Sequence, residues 1–410
     1  MKVEQGSTVT DWNLGTGGGG APAQCADGLD NDRDGKTDFG ANGDPGCTSA
    51  TDDDETDPVA PPLPSGFTNS QVVSGLTNPT DMEIAPDGRL FVAEQAGRVR
   101  IAKPDGTSLT TFLDISTKVD SNGERGLQSL TFDPSFSSNR YVYLQYTKKA
   151  TSTTPVHNRI VRVTADANGT KVVSGSEKLI FQLGNQTSDH HMGGAIDFGT
   201  DGKLYIATGD NETPNNAQQL TNLFGKMLRI NKDGTIPTDN PFYSTASANN
   251  RAIWALGLRN PFKFAVQPGT GTIFINDVGQ DAWEEINRGA AGANYRWNTY
   301  EGPESDPQYA NPIFAYGHDG AIETTGCSIT GGAFYNPTTA TTSFASYQGK
   351  YFYTDFCSGW IRVFDPSSGT DSAFASGIVK PVDLEVGDNG SLYYLYRGSS
   401  SVPAAVRQIR

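Results

Sequence analysis

One hairpin, repeated, limits what this chain can fold into. DMEIAPDGRLFVAE at 81–94 carries two apolar-alternating runs on either side of a Pro-Asp-Gly turn, the pattern of strand, tight turn, strand. It returns as SLTFDPSFSSNRYVYLQY at 129–146, GGAIDFGTDGKLYIATGD at 193–210, FAVQPGTGTIFIND at 264–277 and DLEVGDNGSLYYLY at 383–396. A less regular copy with a longer turn joins GGAFYNP from Gly331 to GKYFYTDF from Gly349. Six copies spaced by roughly 50 to 70 residues predict an all-β chain built by radial repetition of four-stranded sheets, a six-bladed β-propeller. FTNSQVVSGL at 67–76 is a strand without a hairpin partner of its own, and the tail from Leu392 is strand-rich, so the first and last segments are expected to share a blade and close the ring.

The rest of the chain divides around that repeat. Residues 1–24 are polar and glycine-rich and predict a disordered lead-in. CADGLDNDRDGKTDFGANGDPGC, from Cys25 to Cys47, opens an acidic module at 25–57. Asp30, Asp32 and Asp34 alternate, Gly35 allows a sharp turn, and Lys36 and Asp38 follow with the ligand spacing of an EF-hand-like calcium loop. Its twelfth position is Ala41, so ligation needs help from Asp27, Asp44 or the acids at 52–55; a solvated acidic linker is the plain alternative. A disulfide between Cys25 and Cys47 would staple a module too small to have a core. TDPVAPPLPS continues it into a proline-rich linker at 58–65, and the propeller is expected at 66–410.

Charge narrows the partners. The formal net charge is −15, and the 25–57 segment, with eleven acids against Arg33 and Lys36, accounts for −9 of it. Nothing resembles a basic patch, which argues against nucleic acid and anionic membranes. No apolar run reaches membrane-spanning length, and MKVEQGSTVT has no apolar signal core. Four cysteines and a calcium-type loop point to a secreted or periplasmic protein whose signal peptide is not part of this sequence.

Chemistry is concentrated in SDHHMGGAIDFGTDGKLYIATGDN at 188–211. His190 and His191 precede a glycine pair at the start of a strand, where backbone can approach closely and an imidazole can serve as base near neutral pH. Glu124 and Arg125 sit in a loop just before another strand. Arg259 and Asn260 precede Pro261, which biases them to an extended loop where a guanidinium can hold a carboxylate or oxyanion. Lys226 and Arg229 read as structural. DVGQDAWEEINRGAAGANYRW at 277–297 offers a glycine-rich turn and oxygen ligands suited to calcium. Cys327 and Cys357 stand where two strands of one blade would lie side by side, and a disulfide is expected there.

Together, DHHMGG, PDGRLFVAE, GKMLRINKDGTIPTDNPF, LGLRNPF and VGQDAWEEINRGAAGANYRW resemble, in order, the glucose/sorbosone dehydrogenase superfamily, over about residues 67–395. That family includes soluble quinoproteins that use pyrroloquinoline quinone (PQQ) and the non-enzymatic hedgehog-interacting proteins. The resemblance implies an exported aldose dehydrogenase that transfers hydride from a sugar to PQQ and passes electrons to an external acceptor. It implies His191 as general base and Arg259 and Asn260 at the quinone; Lys380 is a further candidate for the cofactor, and His190 and Glu124 are candidates for the sugar. It also implies the carbonyls of Gly279 and Gln280 on the cofactor's calcium, with Glu284, Glu285 and Tyr295 at a second calcium. Where the family grips the cofactor's carboxylates with a lysine and two arginines, this chain has Cys357, Lys380 and Val382, and TDFCSGWI looks more like the hedgehog-interacting branch. The alternative reading is a calcium-stabilised propeller that binds glycans or proteins without redox chemistry.

Overall fold

A computed structural model of the chain describes residues 26, 28, 63–304, 306–318, 324–339, 341–400 and 402–410. Two units are distinguished, Met1–Pro62 and Leu63–Arg410, and every strand among the described residues belongs to the second. The lead-in, the calcium-type loop with Asp30, Asp32, Asp34, Lys36 and Asp38, and the Cys25–Cys47 pairing lie outside the described residues.

Leu63–Arg410 forms six four-stranded antiparallel sheets. Their innermost strands are Pro79–Ile84, Leu127–Phe132, Gly193–Phe198, Pro261–Val266, Ile329–Phe334 and Pro381–Val386, and each touches the next around a ring. Five sheets are simple meanders from the inside outwards. The sixth is closed by the start of the chain: Asn69–Val73 pairs antiparallel with Ala405–Ile409, and Thr68 and Arg410 exchange backbone hydrogen bonds of 2.8 and 3.1 Å. The propeller and its closing blade are therefore as the hairpin repeat predicts, because period-2 alternation buries both faces of each strand between neighbouring blades. Those interfaces are rich in aromatic rings, such as Tyr335 stacked on Phe344 at 4.7 Å and Phe91 edge-on to Phe112 at 5.0 Å.

Every innermost strand has a register shift within its first few residues. Past it, side chains face the channel in tiers. The third residues of these strands are Asp81, Ser129, Ala195, Lys263, Gly331 and Asp383. Three of them stitch one blade to the next: Asp383 accepts from the Met82 amide at 2.7 Å, Asp81 from the Leu130 amide at 2.7 Å, and Ser129 from the Ile196 amide at 3.3 Å. Lys263 completes the tier by contacting Asp81 and lying 3.0 Å from Asp383.

Candidate functional site

The innermost strands all start at the same mouth of the channel, so residues just before them form its rim. His191 precedes Gly193–Phe198, Arg259 and Asn260 precede Pro261–Val266, and Glu124 lies just ahead of Leu127–Phe132. The glycine pair has a definite job. Gly193 has φ +61°, and an added Cβ would meet the Gly209 amide at 2.8 Å; Gly194 has φ +128°, with the Gln128 side chain 2.8 Å away. Only a chain without side chains fits there, and it carries His191 into the rim with a left-handed φ of +55° of its own.

His191 is buried, and its Nδ1 lies 2.7 Å from Asp210 Oδ1. A carboxylate accepts only, so Nδ1 carries the proton and Nε2 is the open, accepting nitrogen. Asp210 is fully buried; its Oδ1 also takes the Glu212 amide at 2.8 Å, and its Oδ2 takes the Trp297 indole N–H at 2.7 Å. The Trp297 ring in turn lies 5.6 Å from the Arg259 guanidinium, within cation–π range. Arg259 donates to the Val278 carbonyl at 3.1 Å, while its Nε is buried without a partner among the described residues. Backbone closes the loop, since the Asp210 amide donates to the Arg259 carbonyl at 2.8 Å. The His191 imidazole and the Arg259 guanidinium are thus brought to one place through Asp210 and Trp297. Lys226 braces that turn from behind: its buried ammonium donates to the carbonyls of Asn216, Ala217 and Phe224 at 2.8, 3.0 and 2.5 Å, and burial pushes its pKa down to about 7.

Asn260 and Glu124 tie the rim across blades. The Asn260 amide oxygen accepts from Gly193 N at 2.9 Å, and Glu124 Oε2 takes both Asn260 Nδ2 and Met192 N at 3.3 Å. Arg125 turns away from Glu124, to Asp120 at 3.4 Å and the Ser188 carbonyl at 2.7 Å. His190 is about one-third exposed and pairs with Asp189 at 2.9 Å, apart from the His191–Asp210 pair.

The residues expected around calcium separate into two groups. Glu301 Oε1 accepts the amides of Gln280, Asp281, Ala282 and Trp283 at 2.7 to 3.1 Å. In a trans peptide C=O points away from the following N–H, so this capture turns the carbonyls of Gly279 and Gln280 outward, and neither accepts a hydrogen bond from a described residue. Two such carbonyls fit a hard cation, and Gly279 lines one small pocket with Arg259. Of Glu284, Glu285 and Tyr295, the last two line one small pocket with Arg259 and Gly279, and Glu284 stands apart from it. As neighbours on one strand, Glu284 and Glu285 face opposite ways. Glu284 meets His318 Nε2 and the Ile329 amide, both at 2.8 Å, whereas Glu285 takes the Gly302 amide at 2.8 Å and Asn287 at 2.9 Å. Tyr295 spends its hydroxyl on the Arg288 carbonyl at 2.7 Å and the Ala290 amide at 3.1 Å. Among the described residues no group of three or more His, Cys, Asp or Glu side chains is arranged to hold a metal.

The last two blades supply less charge than a three-carboxylate cofactor calls for. Cys357 is bonded to Cys327, and Val382 is buried in an interblade core. Lys350 and Arg362 pair with Asp365 and Asp371 rather than entering the mouth. Lys380 is exposed, its ammonium 6.0 Å from the Phe356 ring. One cation escaped the sequence reading: Arg397, directly after Leu392–Tyr396, donates to Gln95 Oε1 at 2.6 Å on the rim. Asp210, Trp297 and Glu301 escaped it too. An aspartate after Gly209 at the end of a strand is a weak signal, and nothing local marks the other three.

The sequence profile described as Glucose / Sorbosone dehydrogenase matches residues 76–401. The chain is 30% identical over 416 residues to the HIPL2 protein of Arabidopsis thaliana, covering 81% of this chain and 58% of that protein. It is 30% identical over 270 residues to quinoprotein glucose dehydrogenase B of Acinetobacter calcoaceticus, covering 60% of this chain and 55% of that one. The chain thus spans a little over half the length of these relatives. A Thermus structure described as an oxidoreductase (glucose dehydrogenase) matches the fold with a TM-score of 0.72 and 26% identity, covering 84% of this chain and 100% of that chain.

Proposed function

The chain belongs to the glucose/sorbosone dehydrogenase family, and from that premise we propose that it is an exported sugar dehydrogenase that uses PQQ with calcium and has His191 as its general base. The observation carrying this reading is the continuous His191–Asp210–Trp297–Arg259 contact at the channel mouth. With Nδ1 committed to Asp210, Nε2 takes the proton of a sugar hydroxyl while the carbon beneath it gives up hydride. Asp210 fixes the tautomer and stabilises the imidazolium that forms. Arg259 answers negative charge that develops opposite the base. When bound, PQQ would supply an ortho-quinone as two-electron acceptor, and calcium would polarise it. The carbonyls of Gly279 and Gln280 would hold that calcium, and Arg259 and Asn260 would position the quinone. The partners of this reading are a small sugar and an external electron acceptor. Export is in keeping with the Cys327–Cys357 disulfide, and no helix among the described residues is long and apolar enough to cross a membrane.

Reconstitution with calcium and PQQ tests the reading. Aldose-dependent dye reduction by the wild type and its loss in His191→Gln are expected; neither dye reduction nor quinone bleaching with any of several aldoses overturns it. A second reading, a calcium-stabilised propeller that binds glycans or proteins, draws support from Cys357 and Val382, which offer no positive charge where the family's clamp has it. Nanomolar PQQ affinity would count against that second reading.

A further inference from the structure

The guanidinium of Arg397 is set in the rim without an acidic partner. Its backbone amide donates to the Lys380 carbonyl at 2.9 Å, which fixes it beside the start of the innermost strand Pro381–Val386. Its side chain is half-buried and donates to a neutral group, Gln95 Oε1, at 2.6 Å. Gln95 is itself oriented by donating to the carbonyls of Gly123 and Arg125 at 2.7 and 2.8 Å. Between those two residues stands Glu124, which binds the Met192 amide and Asn260. Arg397 is therefore part of one hydrogen-bonded belt with the His191 loop and Asn260. Arg89, Arg98, Arg229 and Arg362 each have an aspartate at 3.0 Å or closer, but among the described residues Arg397 has no carboxylate within ion-pair range. Burial alone lowers its pKa, with no partner to restore it.

Holding a cation partly out of water against an amide oxygen is costly, and the cost is recovered when an anion meets the free N–H fork. We propose that Arg397 is an anion-binding residue of the mouth, receiving a carboxylate of the ligand that lies between it and Arg259. Lys380, adjacent through its backbone, lends a second positive charge to the same edge. The inference deepens the quinoprotein reading and rests on it for the carboxylate's first source, the cofactor; a uronic-acid substrate is the second.

Titration calorimetry of the calcium-loaded protein with PQQ, with glucuronate and with glucose separates these, using Arg397→Gln and Arg397→Lys. Arg397→Gln is expected to weaken PQQ binding about ten- to a hundredfold, the range for a lost hydrogen bond to a charged group, with Arg397→Lys recovering part of it. Both variants are expected to melt within a few degrees of the wild type. If the wild type takes no PQQ but prefers glucuronate to glucose in an Arg397-dependent way, the anion site stands and the quinone reading falls. Wild-type PQQ binding that neither substitution changes overturns the inference, as does binding of neither carboxylate.

Discussion

The rim and the interior of the channel are built from the same six strands, yet they handle charge in opposite ways. At the rim, loops place a few polar groups that each find a specific partner: His191 with Asp210, Asp210 with Trp297, Glu124 with Asn260. In the interior, strand alternation puts Asp81 and Asp383 in one tier and Glu83, Asp197 and Glu385 in the next, with Lys263 the one cation of both among the described residues. Burial pushes Asp383 up to about 7 and Asp197 up to about 6, and it raises Glu83 and Glu385 well above the carboxylate range, with each acid adding to its neighbours' load. Around Lys263 burial opposes the charge, but Asp383 and Asp81 outweigh it and hold the ammonium protonated. Pairing one to one makes a site for chemistry; crowding like charges around a single lysine makes a structural element whose strength depends on protons.

The largest effect expected is at the rim. Asp210→Asn keeps the shape of the side chain but offers His191 a neutral amide, so the imidazole is free to take the wrong tautomer. Turnover in the reconstituted enzyme should fall by about 10³–10⁴-fold while the melting temperature moves little. Full turnover in this variant would reduce the rim pairings to scaffolding and erase the contrast with the interior.

The interior should answer in stability instead. Lys263→Met leaves Asp81 and Asp383 buried without their cation, an expected cost of about 3–5 kcal/mol near pH 8 by chemical denaturation. The cost should shrink near pH 5, where Asp383 can be neutral. The wild type has its own sign to test. Raised carboxylate pKa values mean that the folded state binds more protons than the unfolded one between about pH 4 and 7, so stability is full below that window and declines as pH rises through it. A thermal midpoint that climbs from pH 5 to pH 8 would contradict the crowded-carboxylate description.

The fold was legible because its cause is local. A turn flanked by alternating residues recurs six times, and a lone strand at 67–76 needs the chain's other end. His191 and Arg259 were legible for a related reason: glycines at 193–194 and Pro261 constrain backbone within a residue or two of them. The partners that give them chemical meaning were not. Trp297 lies 87 positions from Asp210, and Arg397 lies 302 from Gln95. Such contacts depend on how blades meet around the ring, which no hairpin encodes. The expected grouping of Glu284, Glu285 and Tyr295 meets the same limit, since adjacent strand residues point their side chains to opposite faces and only Glu285 shares a pocket with Tyr295.

The fifth blade offers an intermediate case. Beside the Cys327–Cys357 bond, Asp355 accepts the amides of Cys327, Ser328, Cys357 and Ser358 at 2.8 to 3.0 Å, so a carboxylate and a disulfide fasten the same two turns. Replacing both cysteines with serine should cost about 3.6 kcal/mol, the chain-entropy value for a loop closed across 30 positions, measured as a shift in denaturant midpoint. Turnover should be retained, because the Asp355 hydrogen bonds still hold both turns without the disulfide; a loss of turnover would extend the rim's chemistry into this blade.

The finest distinction concerns Trp297, which meets the rim twice, by N–H to Asp210 and by ring face to Arg259. Trp297→Phe removes the first contact and keeps the second. Without the indole donor, the charge of Asp210 is concentrated on the oxygen facing His191, which favours the imidazolium. The acid limb of the pH–rate profile should therefore move up by about one pH unit, which below that limb lowers turnover about tenfold while KM holds. The Nδ1–H···Asp210 proton, followed by NMR in the protein without cofactor, should shift as well, a readout that does not depend on the redox reading. Trp297→Gln reverses the choice, retaining an N–H donor but no ring, and should leave the pH limb in place while weakening whatever Arg259 holds. If both variants lose stability alone, with the profile and the proton resonance unmoved, Trp297 is packing, and the base and the guanidinium are held together by backbone.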